Sequence, residues 1–162
     1  MAAVDYFLKL DGIEGESKDD KHKNEIDVES WSWGETQTGA SGFGGGGGAG
    51  KVSMQDFHFT MKMNKASPKL MLACATGQHV KEAKLTCRKA GGKQEEYAVA
   101  KFSDLLVSSY QTGGSSGGDA IPTESISLNF SKIEWEYKPQ KEDGSLLAPV
   151  TAGYDLKLNK KV

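Results

Sequence analysis

Apolar and polar residues alternate with a period of two through most of this chain. Residues 4–10, Val-Asp-Tyr-Phe-Leu-Lys-Leu, set Tyr6, Leu8 and Leu10 against Phe7 and Lys9. The same alternation returns over residues 25–33, 52–63, 80–88, 95–111, 124–137 and 149–160, with Gly, Asp and Ser clusters between the runs. Period two is the signature of strands that bury one face, and strands this frequent predict a mainly β fold, an antiparallel sandwich or barrel.

One segment breaks the pattern. Ser67 suits a helix N-cap and Pro68 the first helical position. Leu70, Met71, Cys74 and Ala75 then fall on one helical face, and Gly77 is placed to end the element. The spacing predicts a short helix of about ten residues that needs packing for stability. Its Leu and Met read as core rather than as a cofactor box.

Three runs change parity midway. Ile26 and Val28 give way to Trp31 and Trp33. Val52 and Met54 give way to Phe57, Phe59, Met61 and Met63, and Ile126, Leu128 and Phe130 to Ile133, Trp135 and Tyr137. A period-two strand keeps one face, so each change needs a bulge or a switch in the face that is buried. A neighbouring subunit covering the second face is one cause, and the expectation here is that it contributes.

Three connections stand out. Residues 11–24 are charged and read as a solvated loop. Gly39 to Lys51 contains Phe43 and the unbroken run Gly44, Gly45, Gly46, Gly47 and Gly48, and Thr112 to Ala120 is rich in Gly and Ser. The last two join strands, so they predict long hairpin arms rather than domain linkers; segments this poor in side chains form no core of their own.

Composition narrows the classes. At 162 residues, one domain over 1–162 is expected, long enough for a core without staples. Glycine supplies 20 residues against four prolines, which places the excess in turns rather than in a collagen-like repeat. A net charge of −2 argues against a general nucleic-acid binder, which needs a basic stripe. No apolar run reaches the roughly 18 residues of a membrane span. The N-terminus has neither the cationic nor the apolar region of a secretory signal, so the chain is expected to begin in the cytoplasm and to leave, if it does, by a route that ignores such signals. Cys74 and Cys87 lack metal or redox spacing and read as reduced, mostly buried thiols.

Candidate chemistry is thin. Gly45-x4-Gly50-Lys51 fits a phosphate loop, but Val52 stands where Ser or Thr would hold magnesium, and a strand pattern follows where a helix is required. His22, His58 and His79 lack metal-ligand spacing, and the acidic residues of the first loop do not match a calcium loop. No catalytic, cofactor-binding or metal-ligating residues are assigned. Trp31 and Trp33 read as core or interface anchors, leaving Ser30 and Ser32 as a small polar stretch on the opposite face.

Several segments together are similar to one known family. They are Trp31-Ser32-Trp33-Gly34, the arm ending Gly-Ala-Gly-Lys51, and Lys69-Leu-Met-Leu-Ala-Cys74. To these add Ala83 to Gly92, Leu106-Val-Ser-Ser109, Leu128-Asn-Phe130 and Tyr137-Lys-Pro-Gln140. Their order resembles the haemolysin-coregulated protein family, Hcp, over essentially the whole chain. The resemblance implies a β-barrel of two sheets with one helix at its side, no enzymatic activity, and six copies forming rings that stack into the inner tube of a type VI secretion system. It implies a VgrG-type spike protein at the tip, a contractile sheath outside, small effector cargo in the lumen, and export of the tube protein itself. It further implies that Ser32, with Ser30, lines the lumen and touches cargo. The arm, Gly39 to Lys51, would reach a neighbouring copy, Trp31, Trp33, Phe57, Phe59 and Trp135 would anchor the barrel wall, and the helix carrying Leu70, Met71 and Cys74 would pack outside the barrel. Two other readings stay open from the residues alone: a monomeric β-barrel that holds a small ligand, and an enzyme of phosphate chemistry at Gly45 to Lys51.

Overall fold

The structure, a computed structural model, describes residues 4–37 and 51–162. The expectations placed on Gly39, Phe43 and Gly44 to Gly48 lie outside the described residues. Strands follow the alternating runs closely: β1 (Val4–Leu10), β2 (Ile26–Val28), β3 (Ser30–Ser32), β4 (Glu35–Gln37), β5 (Val52–Met54) and β6 (Phe57–Lys62). After helix α1 (Ser67–Thr76) come β7 (Val80–Lys89), β8 (Glu96–Gln111), β9 (Thr123–Tyr137), β10 (Val150–Asp155) and β11 (Lys160–Lys161).

All pairings are antiparallel. β1 pairs with β2 and β7, β7 with β8, β8 with β9, β9 with β6, and β6 with β3. Between β2 and β3 the Glu29 N–H donates to the Thr60 carbonyl at 2.9 Å, which carries the circuit from β2 to β6 and closes a barrel. β9 changes partner along one edge: Thr123 to Leu128 pair with β6, and Lys132 to Tyr137 with β10. Two sheets therefore share β8 and β9. β4 and β5 pair only with each other, as the stem of the expected arm, with Gln37 opposite Val52.

The parity changes have local causes. At Glu29 the chain leaves β1 for β6. At Gln55 and Asp56 it leaves the stem for the barrel. In β9 the buried face flips at Ser131, which lies opposite Asp104 of β8; Asp104 adopts φ 50°, and the Ser131 hydroxyl donates to its carbonyl at 3.0 Å. A left-handed residue within a strand turns the following side chains to the other face. Ile26, Val28, Phe57, Phe59, Met61, Ile126, Leu128, Phe130 and Ile133 thus lie in one core, with Trp31, Trp33, Met54 and Trp135 half-buried against it. Strand breaks and one kink account for these positions, while Met63 and Tyr137, at the ends of their runs, stay exposed.

The core is aromatic and filled. Phe57 lies 4.7 Å from Phe102 and 6.0 Å from Phe59 between ring centroids, and Phe102 lies 4.8 Å from Phe130. Such pairs add about 0.5–1.5 kcal/mol each beyond their buried area.

Helix α1 corrects two expectations. The N-cap is Ala66, whose N–H donates to the Asn64 side chain at 2.8 Å. Ser67 is the first helical residue, and its hydroxyl donates to Glu124 Oε1 at 2.5 Å. The buried stripe is Ser67, Leu70 and Ala73, with Cys74 half-buried. Met71 and Ala75 face outward, because β8 covers only a narrow stripe of the helix. Gly77 ends the helix with φ 65°, as its position suggested.

The charged loop, residues 11–24, is not free in solvent. Ile13, Ser17 and His22 are buried, and the segment lies as a strap across β1 and β7. Arg88 Nη1 and Nη2 donate to both carboxylate oxygens of Asp19 at 3.0 and 2.6 Å, and Nη2 to Asp5 at 3.1 Å. The His22 ring nitrogens face Glu25 and Glu96 at 2.9 and 2.7 Å, and Phe7 sits between the His22 ring and the Arg88 guanidinium. At Gly15 a side chain would meet the Glu25 carbonyl at 2.5 Å, so glycine is required for the strap to lie this close.

Candidate functional site

Ser30 and Ser32 are exposed on β3, on the face opposite the core. β6 follows strict alternation: Phe57, Phe59 and Met61 point inward, so His58, Thr60 and Lys62 point outward. β9 does the same, burying Glu124, Ile126 and Leu128 and turning out Thr123, Ser125 and Ser127. Strand register then aligns these positions. In one row Ser32 stands opposite His58, His58 opposite Ser127, and Ser127 opposite Ser109; in the next, Ser30 stands opposite Thr60, Thr60 opposite Ser125, and Ser125 opposite Gln111. Ser30 and Thr60 share a hydroxyl hydrogen bond of 2.5 Å, and His58 Nδ1 lies 3.0 Å from Ser127 Oγ. The result is a polar band across four strands, mostly of small hydroxyl side chains with His58 and Gln111 among them. Lys62, at its edge, is neutralised by Asp119 at 3.1 Å and Glu29 at 3.6 Å, and the Asp119 hydrogen bond raises its pKa.

Beyond the kink at Asp104 and Ser131, the outward chemistry of the same two strands changes. Lys101 stands between Lys84 and Glu134, and Val99 opposite Glu136. Lys101 pairs with Glu82 at 3.5 Å and Lys132 with Glu134 at 3.1 Å. β8 and β9 thus present a mostly hydroxyl and amide face over one half, where exposed Leu106 also lies and Ser108 and Asn129 donate to the Asp56 carboxylate at 2.6 and 2.8 Å, and a face of lysine and glutamate over the other.

An apolar cleft of about 600 Å³ separates the stem from β10; its walls include Trp33, Val52, Met54, Ile133, Trp135 and Tyr154. Of the anchors, Phe57 and Phe59 are fully buried, Trp31 packs edge-on against Tyr6 and near Trp135, and Trp33 lies past the end of β3 against Phe130. Lys51 is exposed and leads directly into β5, so no helix N-terminus follows the glycines as phosphate binding requires.

Nothing described resembles a reaction centre. Among the described residues no three His, Cys, Asp or Glu side chains are grouped to hold a metal, and no helix is long and apolar enough to cross a membrane. The perturbed groups are structural. The Arg88 hydrogen bond holds Asp19 down at about 2, and burial pushes the Cys87 thiol and the Tyr97 phenol up to about 12. Burial, then the like charges of Asp5 and Asp19, raises Asp27. Glu124 is fully buried, with one oxygen held by Ser67 and the other by the Tyr110 hydroxyl, and it ties α1 to the barrel.

Apart from Ser30 and Ser32, the band was not assigned from the sequence. Its signal is present in Phe-His-Phe-Thr-Met-Lys and Thr-Glu-Ser-Ile-Ser-Leu, where every second residue is polar, but only strand register brings those positions together.

The fold is a closed antiparallel barrel with one side helix and a separate hairpin stem. Residues 7–137 match the family model described as type VI secretion system effector, Hcp. The chain is 52% identical over 159 residues to Protein hcp1 of Pseudomonas aeruginosa, covering 97% of this chain and 98% of that one. The structure is similar to that of a type six secretion system protein, with a TM-score of 0.92 and 34% identity over 99% of this chain and 100% of the other. It is similar to the crystal structure of Hcp1 from Salmonella typhimurium, with a TM-score of 0.81 and 40% identity over the same shares. The chain belongs to the Hcp family of type VI secretion proteins, and none of these comparisons indicates an enzyme.

Proposed function

We propose that this chain is the ring-forming subunit of a type VI secretion tube, that six copies enclose a lumen, and that the face carrying Ser30 and Ser32 lines it. The observation that carries this reading is the face of small polar, mostly hydroxyl side chains on the outside of a barrel whose inside is filled. A surface meant to meet cargo and release it must avoid both large apolar area and unpaired charge. Rings closed by head-to-tail contacts use different patches on each copy, and stacked rings repeat without limit. The glycine arm, from Gly39 to Lys51, reaches a neighbouring copy, where missing side chains permit close backbone approach. The outer surface bearing α1 faces the sheath, a VgrG-type spike caps the tip, and small effectors travel in the lumen. The chain is made in the cytoplasm and leaves with the tube.

The filled barrel counts against a monomeric module holding a small ligand inside, since Phe57, Phe59, Phe102 and Leu128 occupy that space.

Mass measurement in solution, with electron microscopy of the same sample, tests the reading. Ring-shaped particles of six copies are expected, and a stable monomer at micromolar concentration overturns it. Ser32→Gln, a bulkier group on the same face, should leave rings intact and lower retention of a small effector; unchanged retention in intact rings removes Ser32 from the contact surface.

A further inference from the structure

Two side-chain anchors hold the strap of residues 11–24 to the barrel, and they differ in kind. One is Arg88 on Asp19 and Asp5, and arginine keeps its charge at any pH a protein meets. The other is His22, buried against Phe7, with Nδ1 2.9 Å from Glu25 Oε2 and Nε2 2.7 Å from Glu96 Oε1. From this second arrangement we propose that His22 is a proton-dependent latch. The strap is closed onto the start of β8 while His22, Glu25 and Glu96 together hold one proton more than a neutral ring carries, and it loosens there when rising pH removes that proton. The latch lies within one chain and needs no assembled ring, so it stands or falls apart from the tube reading.

Three observations carry it. First, a neutral imidazole has one N–H and one lone pair, and an ionised carboxylate only accepts. Between two carboxylates, a neutral ring donates to one and sets its bare nitrogen against the other oxygen, lone pair to lone pair. Both contacts are hydrogen bonds only with the additional proton, on the ring or on one carboxyl. Second, the site suits a cation. The ring stacks on Phe7 at 4.3 Å and 8°, and an aromatic face attracts positive charge. Third, the trio is open to proton exchange, because a cavity of about 410 Å³ beside it leads to solvent. Lys9 of β1, Asp11 and Lys21 of the strap, and Glu82 and Lys84 of β7 face the trio across that cavity. On the far side of Phe7 are Arg88, Asp19 and Asp5, already paired with one another. These surrounding charges nearly balance, which leaves the two carboxylates in contact with the ring as the dominant field. When the proton goes, Glu96 is the partner released. Its side chain is 35% exposed against 14% for Glu25, so it recovers water more readily. Glu25 lies in the same segment as His22, so the bond to Glu96 is the one that joins strap to barrel.

Amide hydrogen exchange read by mass spectrometry on the full-length protein tests the latch, at about pH 6 and about pH 8.5, either side of the range in which histidine changes charge. Rates are expressed as protection factors, which removes the intrinsic effect of pH on exchange. The amides of Gly15, Ser17, His22, Asn24 and Glu25 are hydrogen-bonded within the strap and its junction with β2, and they report its closure. Their protection should fall about tenfold from the lower to the higher pH, the size expected when one hydrogen bond to a charged group is lost, while β9 is unchanged. Glu96→Gln is the discriminating variant. Its amide accepts from a protonated ring nitrogen or donates to a bare one, so the strap should stay protected at both pH values. His22→Gln, whose side chain does not titrate, should give equal protection at both. Equal wild-type protection at the two pH values overturns the latch, and so does either variant that keeps the wild-type fall. Should His22→Gln not fold, Glu96→Gln carries the test alone, since it changes one atom of a half-exposed side chain.

Discussion

Replacing Arg88 with Met should release the strap of residues 11–24 from the barrel. The guanidinium is almost fully buried and makes three hydrogen bonds to two carboxylates. Met keeps most of the aliphatic packing on Phe7 and removes the charge. Breaking a buried ion pair from one side costs about 3–5 kcal/mol when the orphaned charge stays buried. Here the Asp19 side chain is 22% exposed and Asp5 34%, so both can recover some water and the cost is lower. Asp19 provides a second route to the magnitude. Its carboxyl is lowered from 3.8 to about 2, chiefly by the Arg88 hydrogen bond. At 1.36 kcal/mol per unit, that corresponds to about 2 kcal/mol. Both routes give about 2–3 kcal/mol, or roughly 4–12 °C in midpoint for a chain of this size. The sign with pH follows. A carboxyl lowered in the folded state contributes fully above its unfolded value and loses that contribution as pH falls from 3.8 towards 2. The Asp19 part of the gap between wild type and Arg88→Met should therefore be complete at pH 7 and close towards pH 2. Urea unfolding followed by tryptophan fluorescence, at pH 7 and across the acid range, measures it. Asp19→Asn in both backgrounds isolates the pair, and the double variant should cost less than the sum of the singles. A loss under about 0.5 kcal/mol at pH 7, the level of an ordinary surface change, or a gap that does not narrow in acid, would refute the reasoning.

Two further outcomes follow from the core. Phe57→Ala removes a fully buried ring that packs on Phe59 and Phe102 and should cost about 3–5 kcal/mol in urea unfolding; a loss under about 1 kcal/mol would mean the barrel closes on the gap. Thiol labelling of the native protein should modify half-buried Cys74 first and leave Cys87 untouched until unfolding, since burial pushes its thiol up to about 12; equal labelling rates would show β7 opening in the native state.

Much of the barrel was legible because one rule governs it. A strand that buries one face must alternate, and residues 57–62 and 125–130 do so without a break. Helix α1 was legible at its C-terminus because Gly77 is at φ 65°, a conformation glycine tolerates best. Its buried stripe was misjudged at Met71 because burial there depends on how much of the helix β8 covers, and a helical period does not contain that information.

The strap shows the limit from the other side. Asp19, His22 and Arg88 are spread over some seventy positions, and charged residues in a glycine-bearing loop read as solvated when their partners are unseen. Pairing across such distance is set by how β1 and β7 pack, which also decides that Phe7 needs a cover. Parity changes were ambiguous in the same way, because a strand break, a left-handed residue at Asp104 and a covering subunit all leave the same mark on a linear pattern.

By itself, then, the order of residues determined which segments are strands and where the one helix ends, because periodicity and local backbone preference act over a few residues; the family resemblance rested on particular segments such as Trp31-Ser32-Trp33-Gly34. Only the tertiary structure decided that Ser32, His58, Ser127 and Ser109 form one row and that the charged groups of β8 and β9 lie beyond the kink. Register between distant strands is a cooperative outcome of core packing, and a single-residue slip in it would turn every one of those hydroxyls to the opposite face.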